Sequence, residues 1–136
     1  MAVTALPIFA QTPLFVVGQT VTTANTAKDG TGTVVLVYTA GVNGSRIDSI
    51  KVRSTGTAVA TVLRVFINNG ATNATATNNS LYVEATIAAT TLSEVAALVD
   101  NLIQMNISLP ATYRVYVTIG TTVATPLQVS AVGGDY

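Results

Sequence analysis

The sequence of 136 residues contains no cysteine, no histidine and no tryptophan. Without the first two, the chain has neither a thiol nucleophile nor an imidazole base, and it lacks the side chains that hold most transition metals. A serine triad cannot be assembled in its usual form. These absences exclude the commonest nucleophilic and metal-dependent enzyme classes, and we expect no cofactor.

Charged residues are also scarce, because Asp, Glu, Lys and Arg make up 9% of the chain, where about 25% is usual. The six basic and six acidic residues cancel, while 49% of the residues are hydrophobic. A free soluble monomer normally carries a charged surface and some net charge. We therefore expect this surface to pack against other protein, with an ordinary monomer that has a polar, uncharged surface as the alternative.

The sequence offers little for nucleic acid, membranes or catalysis. Arg46, Lys51 and Arg53 come closest to a basic patch, and an aspartate between them dilutes it, so nucleic-acid binding is not expected. No apolar run approaches the roughly 20 residues that span a bilayer. The apolar N-terminus has no basic start and is broken by Pro7 and Pro13, which argues against a Sec signal. No two carboxylates are spaced as an evident catalytic pair, so no enzymatic activity is predicted.

Residues 1–18 are predicted to form an extended N-terminal arm, because their prolines disfavour a helix or a central strand. An exposed apolar arm is costly, so either the chain's own sandwich or a neighbouring subunit should cover it. The candidate partner contacts in this arm are Leu6, Ile8, Phe9, Leu14 and Phe15.

Residues 19–136 are predicted to form one domain, because apolar residues alternate with polar ones along most of this range. The alternation is clearest in segments 81–87, 101–109, 111–119 and 127–131. It is typical of half-buried antiparallel strands. About eight strands at this spacing predict an all-β antiparallel sandwich, and eight favours a jelly roll over the seven of an immunoglobulin-like domain.

Two segments, Thr33–Thr39 and Ala58–Asn68, are apolar on both faces. They should be central strands that are covered on both sides, the second side by the arm or by another subunit. Arg64 lies in the middle of the second segment. We interpret it as a rim arginine whose stem rests on apolar surface, with an interface ion pair to Glu84 or Asp100 as the alternative. It joins the candidate partner contacts.

Three connections carry specific predictions. Gly41 to Ser45 should be a hairpin-type turn in which Gly41 and Gly44 adopt positive φ, followed by a structural Arg46–Asp48 pair. Segment 68–80 is nearly all Asn, Thr, Ala and Gly, which predicts a surface loop. Segment 90–100 should be a loop with one helical turn capped by Ser93.

Several phrases of the sequence resemble a known family as a group. They are "YTAGVNGSRIDSIKVRSTGT", "TVLRVFINNG", "LPATYRVYVTIGTTVA" and the terminal "VGGDY", which together cover most of residues 38–136. They resemble the capsid cement, or head-decoration, proteins of tailed bacteriophages.

The resemblance implies a structural protein with a jelly-roll or similar sandwich. It implies a homotrimer on the outside of the phage head, over gaps between major capsid proteins, with terminal segments that reach neighbouring subunits. Such a protein would be made in the bacterial host cytoplasm and would end in the virion. The resemblance carries over no catalytic residues.

Two alternatives remain open at this point. One is a carbohydrate-binding sandwich on the virion, for which Tyr82 and Tyr116 on predicted outward faces are the available aromatic platforms. The other is a neck or tail subunit of the same particle.

Overall fold

The computed structural model describes residues 9–136, which form two four-stranded antiparallel sheets around one hydrophobic core. This confirms the predicted all-β sandwich. The first sheet has the order β1-β8-β3-β6 and the second has the order β2-β7-β4-β5. The strands are β1 (Thr12–Val21), β2 (Val35–Thr39), β3 (Ser45–Ser54), β4 (Thr61–Asn68), β5 (Asn79–Ile87), β6 (Asp100–Leu109), β7 (Arg114–Ile119) and β8 (Leu127–Asp135).

The strand pairing follows that of one long hairpin. β4 pairs with β5, β3 with β6, β2 with β7 and β1 with β8, so the first four strands pair with the last four in reverse order. Every connection except the one between β4 and β5 passes from one sheet to the other. Successive strands therefore belong mostly to opposite sheets, and the core lies between the two sheets.

The core is formed by alternate residues of strands from both sheets, as the period of two predicts. The inward faces predicted for segments 101–109, 111–119 and 127–131 contribute to the core. Leu81 is an exception and is 41% exposed. The register between β4 and β5 shifts at Tyr82, which leaves Leu81 opposite the outward-facing Phe66. The fully buried residues include Ile47, Ile50, Val52, Leu63, Val65, Phe66, Val115, Val117, Ile119 and Leu127.

The predicted arm ends earlier than expected, because residues 12–18 belong to β1. This strand lies at the edge of the first sheet and pairs with β8, and an edge strand tolerates Pro13. Leu14 and Val16 pack against the core. The bulge at Val17 and Gly18, where φ of Gly18 is +78°, shifts the alternation by one residue, so that Val21 enters the core.

The two segments that are apolar on both faces have different positions. β2 is an edge strand with Leu36 43% exposed, so the prediction of a central strand there is wrong. β4 is central, as predicted, and its outward Arg64 and Phe66 are buried. The β1–β2 connection of the same chain covers part of this outward face. Arg64 Nη1 donates to the Asn25 carbonyl (3.4 Å), and the Asn25 N–H donates to the Ile119 carbonyl (2.8 Å).

The 41–45 turn is not a hairpin, because it joins β2 of the second sheet to β3 of the first. Of its two glycines only Gly44 has positive φ (+87°), and a Cβ there would lie 2.6 Å from the Leu109 carbonyl oxygen. Gly41 instead faces the Asp135 carboxylate.

The loop after β4 is ordered by asparagine amides. Asn73 Nδ2 donates to the carbonyls of Gly30 (3.2 Å) and Gly32 (3.0 Å), and Asn79 Nδ2 donates to that of Asp29 (3.1 Å). These bonds tie the polar loop predicted over residues 68–80 to the β1–β2 connection, so its composition serves a structural purpose.

The loop between β5 and β6 contains no helical turn, contrary to expectation. Ser93 Oγ does accept the N–H groups of Val95 (3.2 Å) and Ala96 (3.1 Å), as a cap would. No helix follows these bonds. Val95 is 98% exposed, so a helical turn here would have no apolar face packed on the core to stabilise it.

Candidate interaction surface

The candidate partner contacts lie in different environments. Leu6 and Ile8 lie outside the described residues. Phe9 is 73% exposed and Phe15 is 65% exposed, whereas Leu14 is half-buried against the core. Of the described candidates in this segment, the two phenylalanines therefore present the most apolar surface to solvent.

Arg64 is 8% exposed and is engaged within its own chain. Its Nε lies 2.7 Å from Oε1 of Glu84, directly opposite on β5. The ion pair with Glu84 therefore exists, but inside one chain rather than at an interface. The burial leaves Arg64 little surface for a partner.

A concave surface lies on the outer face of the first sheet and encloses about 350 Å³. We call it the β1–β3 groove. It is lined by Phe15, Val17, Gly18, Lys51, Arg53, Gln128, Val129 and Ser130. A volume of this size lies at the lower end of the range for ligand sites in proteins.

Strand register explains why these residues meet. The Val17–Gly18 bulge lies opposite Ser130, and Ser130 pairs in turn with Lys51 on β3. Two residues further along β3, Arg53 pairs with Gln128 of β8. Because alternate residues face the same side of a sheet, an apolar edge strand and a basic central strand line one groove.

The apolar side of the groove is exposed. Phe15 is 65% and Val17 is 67% exposed, and Val132, opposite Phe15, is 39% exposed. On the far side of β3, Leu102 is 58% exposed and is opposite Lys51. Exposed apolar side chains next to polar ones on one face are typical of an interaction surface.

The basic side of the groove holds two cations and one carboxylate. Lys51 Nζ lies 2.9 Å from Asp100 Oδ2, and Arg53 Nε lies 3.5 Å from Asp100 Oδ1. The hydrogen bond from Lys51 and the charge of both cations lower the pKa of Asp100 below its ordinary value. Lys51, Arg53 and Asp100 together carry one net positive charge, and Glu94 lines a neighbouring cavity with Arg53 and Gln128.

A second polar cluster closes one end of the sandwich. The hydroxyls of Tyr38 and Ser45 both donate to Asp135 Oδ1, the latter over 2.5 Å, and Ser45 Oγ accepts the Gly41 N–H over 3.0 Å. Burial raises the pKa of Tyr38 to about 12, and the hydrogen bond from Ser45 lowers that of Asp135. Ser45 is completely buried, and the cluster holds the 41–45 turn to β8.

The Arg46–Asp48 pair is present, with Nε and Oδ1 2.7 Å apart. Both side chains are nearly half exposed, and such surface pairs contribute about 0–1 kcal/mol. Its role is structural, as the sequence pattern indicates.

The predicted sugar platforms do not form a pair. Tyr82 is 45% exposed, but Tyr116, which lies between Leu36 and Phe66 in the second sheet, is only 7% exposed. The expectation that Tyr116 is available on an outward face is therefore wrong.

Residues 9–136 contain no group of three or more carboxylates placed to hold a metal ion. The same residues contain no helix with the length and hydrophobicity to cross a membrane.

Comparisons with known proteins return no match: no family model, no curated protein and no solved structure is similar to this chain.

Proposed function

We propose that this chain is a structural virion protein of a tailed bacteriophage, a cement protein that binds the capsid exterior and stabilises contacts between major capsid proteins. The observation that carries the proposal is the β1–β3 groove. A chain with only twelve charged residues leaves Phe15 and Val17 about two-thirds exposed on one side of a rigid sheet. A surface of this kind is suited to burial against another protein.

The mechanism is adhesion without chemistry. Each 100 Å² of apolar surface that is covered contributes roughly 2–3 kcal/mol before ordering costs are subtracted. One weak contact is then repeated over a symmetric shell, and linked contacts bind far more tightly than one alone. We propose a homotrimer because the resemblance to head-decoration proteins implies one, and we propose no enzymatic activity.

The proposed fold is a jelly roll. The sheet orders β1-β8-β3-β6 and β2-β7-β4-β5 support it, since a rolled-up hairpin of eight strands pairs them in this way. The proposed location is the head exterior, reached after synthesis in the host cytoplasm. The arm is proposed to reach a neighbouring subunit, and Phe9, which is 73% exposed, supports that role.

The test is co-sedimentation of the purified protein with undecorated heads of the phage that encodes it. We expect saturable binding to heads, and analytical ultracentrifugation should show trimers. A variant that lacks residues 1–11 keeps β1 intact and isolates the contribution of the arm. Failure of the full-length protein to bind heads would overturn the proposal. Copy numbers per particle, measured by quantitative mass spectrometry, that fit a neck or tail would assign the protein to that part of the virion instead of the head.

A further inference from the structure

We propose that the β1–β3 groove binds an extended peptide segment that carries an apolar side chain next to carboxylates. This deepens the proposed function, since under it the segment belongs to a capsid subunit. The apolar side chain would contact Phe15 and Val17, and the carboxylates would reach Lys51 and Arg53.

The charge at the groove favours an acidic occupant. Lys51 and Arg53 share Asp100 as their one ion-pair partner among residues 9–136. Arg53 Nε is 3.5 Å from Asp100 Oδ1, which is longer than the roughly 2.7–3.2 Å of an ordinary N–H···O hydrogen bond, so this contact leaves the guanidinium with donors for a further carboxylate. A guanidinium has five N–H donors arranged to receive a carboxylate. A second carboxylate would use these donors and cancel the remaining positive charge.

The spacing favours an extended backbone. Lys51 and Arg53 are two residues apart on β3, which places them roughly 7 Å apart along the sheet. Alternate side chains of an extended peptide have the same spacing. A segment with acidic residues at positions i and i+2 can therefore meet both cations while its backbone runs along the strands.

The apolar side of the groove favours an aromatic or branched side chain. The bulge at Val17 and Gly18 keeps Val17 on the same outer face as Phe15, and a Cβ on Gly18 would have nothing within 4 Å. The floor beside the bulge is thus open space next to two exposed apolar side chains. Aromatic groups and arginine are the residue types most enriched at the centres of protein interfaces.

The first test uses a synthetic probe and needs no virus. Amide chemical shifts of the full chain are followed by NMR while acetyl-Thr-Phe-Val-Asp-Thr-Glu-amide is added. A second peptide with Asn and Gln in place of the acids is the control. We expect shift changes at residues 51–53 and 128–130, and at least tenfold weaker binding of the neutral peptide. Equal binding of both peptides, changes confined to other surfaces, or no binding would overturn the proposal.

Charge variants locate the interaction. The double variant Lys51→Gln/Arg53→Gln should weaken binding of the acidic peptide at least tenfold. The control Lys28→Gln/Arg46→Gln removes the same number of charges elsewhere on the surface, and it should bind as the original chain does. If both double variants weaken binding equally, the effect is one of net charge and the groove is not the site.

The same variants separate this inference from the cement proposal. If the unaltered chain binds heads but Lys51→Gln/Arg53→Gln binds them equally well, the groove assignment fails and the cement function stands. If the groove binds the acidic peptide but the chain does not bind heads, the cement function is refuted and the groove remains the peptide-binding site.

Discussion

Replacing Asp135 with alanine should destabilise the fold far more than replacing Asp48, the other aspartate near the 41–45 turn. Asp135 accepts hydrogen bonds from Tyr38 and Ser45, which are 7% and 0% exposed. Alanine would leave both hydroxyls in the interior without their charged acceptor. Hydrogen bonds to a charged group contribute about 1.5–3 kcal/mol each, and unsatisfied buried groups cost about 1–3 kcal/mol.

The two hydroxyls lie 2.6 Å apart and can still bond to each other, so part of this loss is recovered. We therefore expect Asp135→Ala to lower the free energy of unfolding by about 3 kcal/mol. For a domain of 136 residues that corresponds to a decrease in Tm of roughly 10 °C. Urea denaturation followed by circular dichroism measures the loss. Asp48→Ala is the matched control, and it should cost at most about 1 kcal/mol because its partner Arg46 is exposed.

The pH dependence supplies a second test of the same cluster. The folded-state pKa of Asp135 lies below its ordinary value of 3.8, so its contribution is fully present above about pH 4 and is lost as the pH falls through the folded-state pKa. The difference in unfolding free energy between the original chain and Asp135→Ala should therefore become smaller in acid. A loss below about 1 kcal/mol at pH 7, or a gap that stays constant down to pH 2, would refute the reasoning. If Asp135→Ala does not fold, Asp135→Asn serves, with a smaller loss.

Three further predictions concern single residues. Phe66→Ala should cost about 3–5 kcal/mol in urea denaturation although Phe66 faces away from the main core, and a loss below about 1 kcal/mol would show that the outer face of β4 is not packed as described. Gly44→Ala should cost clearly more than Gly18→Ala, since both have positive φ but only at Gly44 does a Cβ meet a backbone oxygen, that of Leu109; equal costs would contradict the clash. Ultraviolet titration should give Tyr38 a pKa of about 12. Because this folded-state pKa is raised above the ordinary value of 10.0, the contribution of Tyr38 to stability is present below about pH 10 and is lost as the pH rises through about 12. Titration of Tyr38 near pH 10 would contradict its burial.

The strand content was predictable because alternation is a local signal. The inward faces of β6, β7 and β8 follow from residues i and i+2 alone. The positions of strands in the sheets were not predictable in the same way. Thr33–Thr39 and Ala58–Asn68 look alike in sequence, but one is an edge strand and the other is central. That difference depends on pairing between residues far apart in the chain.

Burial by loops was a second source of error. Tyr116 and Arg64 are on the outward face, as the alternation predicts, but both are buried. The cover over Arg64 includes a hydrogen bond to the Asn25 carbonyl, from a polar connection with no periodic pattern. Polar residues that cover a sheet through backbone contacts leave little trace in hydropathy.

The candidate site was only partly visible in the sequence. The sequence predicts Phe15 as a candidate partner contact because it is apolar and belongs to the predicted arm, whereas Lys51 and Arg53 indicate only a weak basic patch. Their proximity to Phe15 depends on β8, which pairs with both β1 and β3. The sequence distance between Phe15 and Lys51 conceals this arrangement, and the register between the strands reveals it.

The most direct test of the account is a binding isotherm of the purified chain on undecorated heads of its phage. The account predicts that binding saturates at a fixed number of copies per head, in multiples of three, and that the bound heads resist heat or osmotic shock better than bare ones. A chain that remains a monomer at all concentrations and leaves the heads unoccupied would contradict it.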